Sequence, residues 1–148
     1  GPNAPADNIQ IGLPGERYSD YSYTREGNPV QLQMPIEPGT YELRYSFRDR
    51  EIIHTRPIEV TPVELDIIAP ETAPAGSVIE IGWVGPNAPA DNIQIGLPGE
   101  RYANYTYTRD GNPLRLRIPD APGAYELRYS FRDREVVFTR PITITAAE

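Results

Sequence analysis

The stretch AYELRYSFRDREVVFTRPITIT, Ala124–Thr145, decides the fold. Tyr125, Leu127, Tyr129 and Phe131 occupy every second position, with Glu126, Arg128 and Ser130 between them. A strand places such a set on one side, whereas a helix would scatter it around the axis. After Asp133 the alternation resumes and runs through Pro141, whose missing N–H demands an edge position or a bulge. The stretch therefore reads as two successive strands.

The same period continues outward. VELDII (Val63–Ile68) alternates up to Pro70, and SVIEIGW (Ser77–Trp83) puts Ile79, Ile81 and Trp83 on one face. DNIQIGL (Asp91–Leu97) aligns Ile93, Ile95 and Leu97, and YTYTR (Tyr105–Arg109) leads into the turn signal DGNP. LRLRI (Leu114–Ile118) turns Leu114, Leu116 and Ile118 inward and Arg115 and Arg117 outward. No long segment has helical periodicity, and the 17 prolines and 12 glycines favour short elements with many turns. Seven short strands in about 84 residues predict an all-β, immunoglobulin-like β-sandwich. In PDAPGAYELRY, Tyr125 fits a tyrosine corner, a hydroxyl bonded back to the preceding loop. Trp83 falls on the second strand rather than the third, so antibody-type packing is not implied.

GPNAPADNIQIGLPGERY occurs at Gly1–Tyr18 and again, unchanged, at Gly85–Tyr102. At this offset of 84, 46 of the 64 overlapping positions are identical, so the copies share one fold in tandem repeats. The expected division is a repeat lacking its first two strands over 1–62 and a complete one over 63–148. Thr61–Val63 is too short to carry the next segment back into the first copy, so that copy is expected to stand open. Its fifth strand, VQLQM, would then leave Val30, Leu32 and Met34 without a facing neighbour: either a cut through a longer array or an acceptor for a strand donated by another molecule. The joint at Pro62, Glu64 and Asp66 has no flexible spacer, which predicts repeats stacked end to end as a stiff rod.

Composition narrows the chemistry. A net charge of −7 argues against nucleic acid and anionic membrane surfaces, and no apolar run is long enough for membrane insertion. There is no cysteine, and all 14 basic residues are arginine, which excludes disulfides and lysine cross-links. The chain shows neither an initiator methionine nor a signal peptide, as expected of a fragment or processed product. The single histidine, His54, is matched by Phe138 in the second copy, so it is expected to be structural; no hydrolase, metalloprotease or phosphate-binding motif appears. The expectation is a non-catalytic protein without cofactors. Glu64, Asp66, Asp49 and Asp133 near strand ends leave a Ca²⁺ site open as the lesser alternative to solvated acids. Tyr18, Tyr21 and Tyr23, with Tyr102, Tyr105 and Tyr107, are expected mainly to pack, with protein contact or glycan stacking as alternatives. The sequon at Asn104–Thr106 is not repeated at Asp20–Ser22. Glu80 is expected opposite Arg115 or Arg117, and Arg128 and Arg132 on a solvated face beside Glu126.

APETAPAGSVIEIGWVGPNAPADNIQIG and PGAYELRYSFRDREVVFTRPITIT resemble bacterial tandem immunoglobulin-like repeats of secreted and envelope proteins, some carrying von Willebrand factor A-type domains. The resemblance implies an extracellular or cell-surface location and a role as spacer, adhesin stalk or assembly module, with no catalytic residues. The resulting expectation is a structural rod or filament whose partners are its own copies or neighbouring repeats. Val30, Leu32, Met34 and the six tyrosines are the candidate contacts. The alternative is an adhesion module for glycan, or one dependent on Ca²⁺.

Overall fold

The computed structural model describes residues 2–147. The chain forms two compact units, Gly1–Val63 and Glu64–Glu148. Among the described residues the structure is all β apart from two single 3₁₀ turns, Thr24–Glu26 and Thr108–Asp110.

The second unit holds β5 (Asp66–Ile68), β6 (Thr72–Pro74), β7 (Val78–Val84), β8 (Asn92–Gly96), β9 (Tyr102–Tyr107), β10 (Leu114–Arg117), β11 (Gly123–Phe131) and β12 (Glu135–Thr145). One sheet runs β10-β7-β5 and the other β6-β12-β11-β8-β9. Eight strands replace the expected seven, because the leading segment divides. Pro70 cannot continue a ladder, so β5 pairs with β7 and the chain then crosses to lay β6 parallel to β12. Pro141 lies before the reach of β6, which meets β12 only at Thr143–Thr145. Arg115 faces Glu80 in register.

One core joins the inner faces of both sheets. Ile67, Ile81, Leu114, Leu116 and Ile118 from the smaller sheet and its margin meet Ile93, Ile95, Leu127, Tyr129, Ile142 and Ile144 from the larger. Each such aliphatic side chain contributes about 1.5–3 kcal/mol on full burial. Leu97 departs from the expected inward set: β8 ends at Gly96 and Leu97 is exposed. The Tyr125 hydroxyl donates to the Ala121 carbonyl at 2.7 Å, and Tyr41 to Glu37 at 2.8 Å, so in both units this corner is tied as the sequence suggested.

The first unit has one sheet, β2-β1-β3-β4, built from β1 (Asn8–Gly12), β2 (Tyr18–Tyr23), β3 (Gly39–Phe47) and β4 (Glu51–Val60). The expected strand at VQLQM is absent: residues 30–35 have no strand structure. Its counterpart β10 is held by β7, and among the described residues no strand of the first unit lies in that place. Val30, Leu32 and Met34 are consequently half-buried, with Leu32 and Met34 packed against Ile11, Tyr41 and Val60, rather than forming an exposed strand face. His54 is exposed opposite Tyr45 on β4.

Candidate functional site

Strand β9 is the edge of the larger sheet in the second unit and pairs only with β8. Simple alternation would put Tyr102 and Tyr105, three apart, on opposite faces. The ladder instead shifts between Ile95 and Gly96, so Ala103 is accommodated as a bulge while Tyr102 pairs with Gly96 and Asn104 with Ile95. Tyr102, Tyr105 and Tyr107 thereby form one row on the outer face. Successive ring centroids are 5.1 and 5.4 Å apart at interplanar angles of 65° and 82°, the edge-to-face arrangement favoured by the ring quadrupoles. A guanidinium closes each end, Arg101 at 5.2 Å from the Tyr102 ring and Arg109 at 4.2 Å from the Tyr107 ring.

The first unit repeats the arrangement. Its bulge lies at Ser19, the ring spacings along Tyr18, Tyr21 and Tyr23 are 5.2 and 5.3 Å, and Arg17 and Arg25 close the ends at 5.4 and 4.1 Å. Tyr21 and Tyr105, the middle members, are each 40% exposed. The tyrosines thus pack against one another in half-buried to partly exposed rows on the outer face.

Beside each row lies a buried polar floor. Register places Tyr105 next to Gln94 and Gln94 next to Arg128, while Gly96 lies between Tyr102 and Glu126. Arg128 is buried, not solvated as its position suggested. Its Nε donates to Glu126 Oε1 and its Nη2 to the Leu97 carbonyl, both at 2.8 Å. Gly96 permits this, since a Cβ there would stand 3.0 Å from Arg128 Nη1 and from the backbone of Arg101 and Tyr102. Arg44, Glu42, Leu13 and Gly12 repeat the set, with both bonds at 2.7 Å. Among the described residues, Asn8 Oδ1 and Asn92 Oδ1 are buried acceptors without a hydrogen-bond partner. A hydrogen bond with Tyr107, then charge interactions with Tyr107 and Tyr102, raise the Tyr105 phenol above its ordinary value, so it stays neutral through the physiological range.

A carboxylate frames the loop preceding each floor. Asp91 accepts the Tyr129 hydroxyl at 2.5 Å and the amides of Ala88 at 2.8 Å and Arg132 at 2.7 Å. In the first unit Asp7 accepts the Tyr45 hydroxyl and the amides of Ala4 and Arg48. Burial pushes the Asp7 carboxyl up, but the Tyr45 hydroxyl and the two amides outweigh it and hold the group below the usual carboxylate value.

The remaining expected positions do not converge. Pro62, Glu64 and Asp66 are exposed, and an Asp66 oxygen accepts the Ile67 amide. Asp49 and Asp133 accept from Asn8 and Asn92. Among the described residues no three His, Cys, Asp or Glu side chains come together as a metal site. The Asn104 amide of the sequon donates to the Arg117 carbonyl. Sequence reading missed Gln94, Arg128 and the bulge; the available signal was the doubled Tyr-x-x-Tyr-x-Tyr spacing following a glycine.

No protein-family model and no curated protein matches the sequence. Among solved structures, the chain is similar at 20% identity and a TM-score of 0.35 to SGBP-B of the Bacteroides ovatus mixed-linkage glucan utilization locus, solved with a mixed-linkage heptasaccharide. The match covers 99% of this chain and 40% of that one. Among the described residues, no helix is long and apolar enough to cross a membrane.

Proposed function

We propose that this chain is a non-catalytic, cell-surface repeat protein of immunoglobulin-like units that binds carbohydrate along its tyrosine rows. The observation carrying this reading is the row itself, three half-exposed rings closed by arginines and repeated with nearly equal spacings in both units. The C–H faces of a sugar ring stack on aromatic surfaces, and its hydroxyls need polar partners nearby. Here rings and a polar strip of Gln, Arg and Glu lie side by side. Each ring is braced by its neighbour, which lowers the ordering cost of binding. A row of three rings suits an extended oligosaccharide better than a single sugar. The net charge of −7 favours an uncharged one over a polyanion. The resemblance to envelope repeats supports a surface location.

The test is binding to a panel of neutral oligosaccharides by calorimetry, with Tyr21→Ala and Tyr105→Ala alone and together. Each single variant is expected to remove one of two sites, and the double variant to lose binding at least tenfold. Failure of every oligosaccharide to bind, or undiminished binding by the double variant, overturns the reading.

A further inference from the structure

Arg44 and Arg128 do more than fill the floor beside each row. Each guanidinium is fixed at two of its three nitrogens. Nε donates to the glutamate two residues earlier, and Nη2 donates to the Leu13 or Leu97 carbonyl. Nη1 has no acceptor among the described residues. It lies against Gly12 or Gly96, where a Cβ would stand 3.0 Å from it. The side chains are only 7% exposed. Yet among the described residues Asn8 Oδ1 and Asn92 Oδ1 are the only side-chain polar atoms both sealed and unpartnered, so Nη1 still reaches solvent. The same open nitrogen occurs in both units.

An arginine offers donors only and keeps its proton throughout the accessible pH range. The direction of this donor is already set by the two bonds beside it, so an acceptor that meets it pays little ordering cost. Register sets which part of the row it serves. Gly96 pairs with Tyr102 on one side and Glu126 on the other, and Gly12 pairs with Tyr18 and Glu42. Nη1 therefore stands beside the first ring of each row. A pyranose stacked on that ring keeps its equatorial hydroxyls in its own plane, spread toward the polar strip, while an axial hydroxyl leaves that plane. The adjacent glutamate matches the guanidinium charge at 2.7 or 2.8 Å, so a carboxylate on the sugar would meet a like charge.

We infer that Nη1 of Arg44 and of Arg128 is the specificity-determining donor of its row, reading the equatorial vicinal diol of a neutral pyranose stacked at Tyr18 or Tyr102. This rests on the carbohydrate reading of the rows and narrows it to a class. Chains of β-1,4-linked glucose or xylose present a free 2,3-diol with both oxygens equatorial. Chains of β-1,4-linked mannose turn the 2-hydroxyl axial and lose one of the two contacts. Gly12 and Gly96 belong to the device, because a side chain there would take the room that Nη1 occupies.

The test compares cellohexaose, xylohexaose and mannohexaose by calorimetry on the full chain. The first two are expected to bind about fivefold tighter than the third, the worth of one hydrogen bond. Arg44→Lys with Arg128→Lys keeps the charge but not the fork, and should level the three affinities. A second measurement needs no variant: saturating cellohexaose should slow the exchange of the Arg44 and Arg128 Nη1 protons with water, read from the side-chain nitrogen signals. Equal affinities for the three hexaoses, or Nη1 protons unmoved by cellohexaose, overturn the proposal. The tyrosine reading then stands as long as Tyr21→Ala with Tyr105→Ala still loses the binding. Failure of all three hexaoses to bind also overturns the proposal, and only failure of the wider neutral panel overturns the reading beneath it.

Discussion

Residues 27–35 and 111–119 start from the same Gly-Asn-Pro turn and end in different states. Leu114, Leu116 and Ile118 sit at 2%, 1% and 0% exposure around a strand, while Val30, Leu32 and Met34 lie half-buried on a segment with no strand structure. Intrinsic preference does not separate VQLQM from LRLRI, since both alternate. What separates them is β7, which pairs with β10 from Leu114↔Ile81 to Arg117↔Val78. A strand at this position is a property of its neighbour more than of its own residues. The same contrast runs through the core: Tyr129 and Leu127 are sealed, whereas Tyr45 and Leu43 are half-buried.

The largest effect should follow from breaking that neighbour. Trp83→Ala removes the ring from Tyr129 and the bond to Gly111, and a buried Trp→Ala change costs about 3–5 kcal/mol. Trp83 is only half-buried, so the lower end is expected. Amides of residues 114–117 should then exchange as fast as those of 30–33. Retained protection at 114–117 would mean that β10 holds itself together without its partner.

Gly85 comes next. A Cβ there would stand 2.5 Å from Cε2 of Tyr129, a ring pinned by its bonds to Asp91 and Asn87. Gly85→Ala should therefore cost about 1–3 kcal/mol of overpacking. Thermal melting monitored through β11 amides would show it, and an unchanged midpoint would mean that the ring can yield.

The legible part of the fold was its periodicity. Ile93, Ile95, Leu114, Leu116, Leu127 and Tyr129 are inward because period two is a geometric property of any strand. The divided leading strand was half legible: Pro70 marks where β5 must stop, but the crossing to the other sheet is set by what β12 offers β6. The site was half visible. The tyrosines stood out, but their common face depends on a bulge, and a bulge breaks the very alternation used to assign faces. Arg128 read as solvated because its charge is obvious and the space above Gly96 that receives it is not.

Alkali should separate the units more gently. Burial, then the bond to Asp91, raise the Tyr129 phenol far above its ordinary value of 10.0; burial and Asp7 raise Tyr45 less. A phenol raised in the folded state contributes stability that is complete below pH 10 and is lost as pH climbs toward the folded value. For Tyr129 the loss steepens toward about 1.4 kcal/mol per pH unit as an upper limit once the unfolded phenol is ionised. Melting followed separately through β3 and β11 should fall above pH 10, with β11 continuing to fall over the wider range. Tyr129→Phe should flatten its alkaline limb.

The smallest effect concerns the tie between the bulge of β9 and β10, which the first unit does not repeat. Asn104 does two things at the bulge: its Oδ1 accepts the Tyr105 amide at 2.9 Å and its Nδ2 donates to the Arg117 carbonyl on β10 at 3.1 Å. Asp20, in the same register, keeps the first role, accepting the Tyr21 amide at 2.8 Å, and has no N–H for the second. Asn104→Asp should thus preserve the tyrosine row and lose the tie to β10, at about 0.5–1.5 kcal/mol. Asp20→Asn should gain no tie of this kind in unit 1, because residues 30–35 have no strand structure there. If Asp20→Asn stabilised unit 1 as much as Asn104→Asp weakened unit 2, the segment 30–35 would already be docked there in solution, and the difference between the two copies would lie in side-chain chemistry instead of in the absent strand.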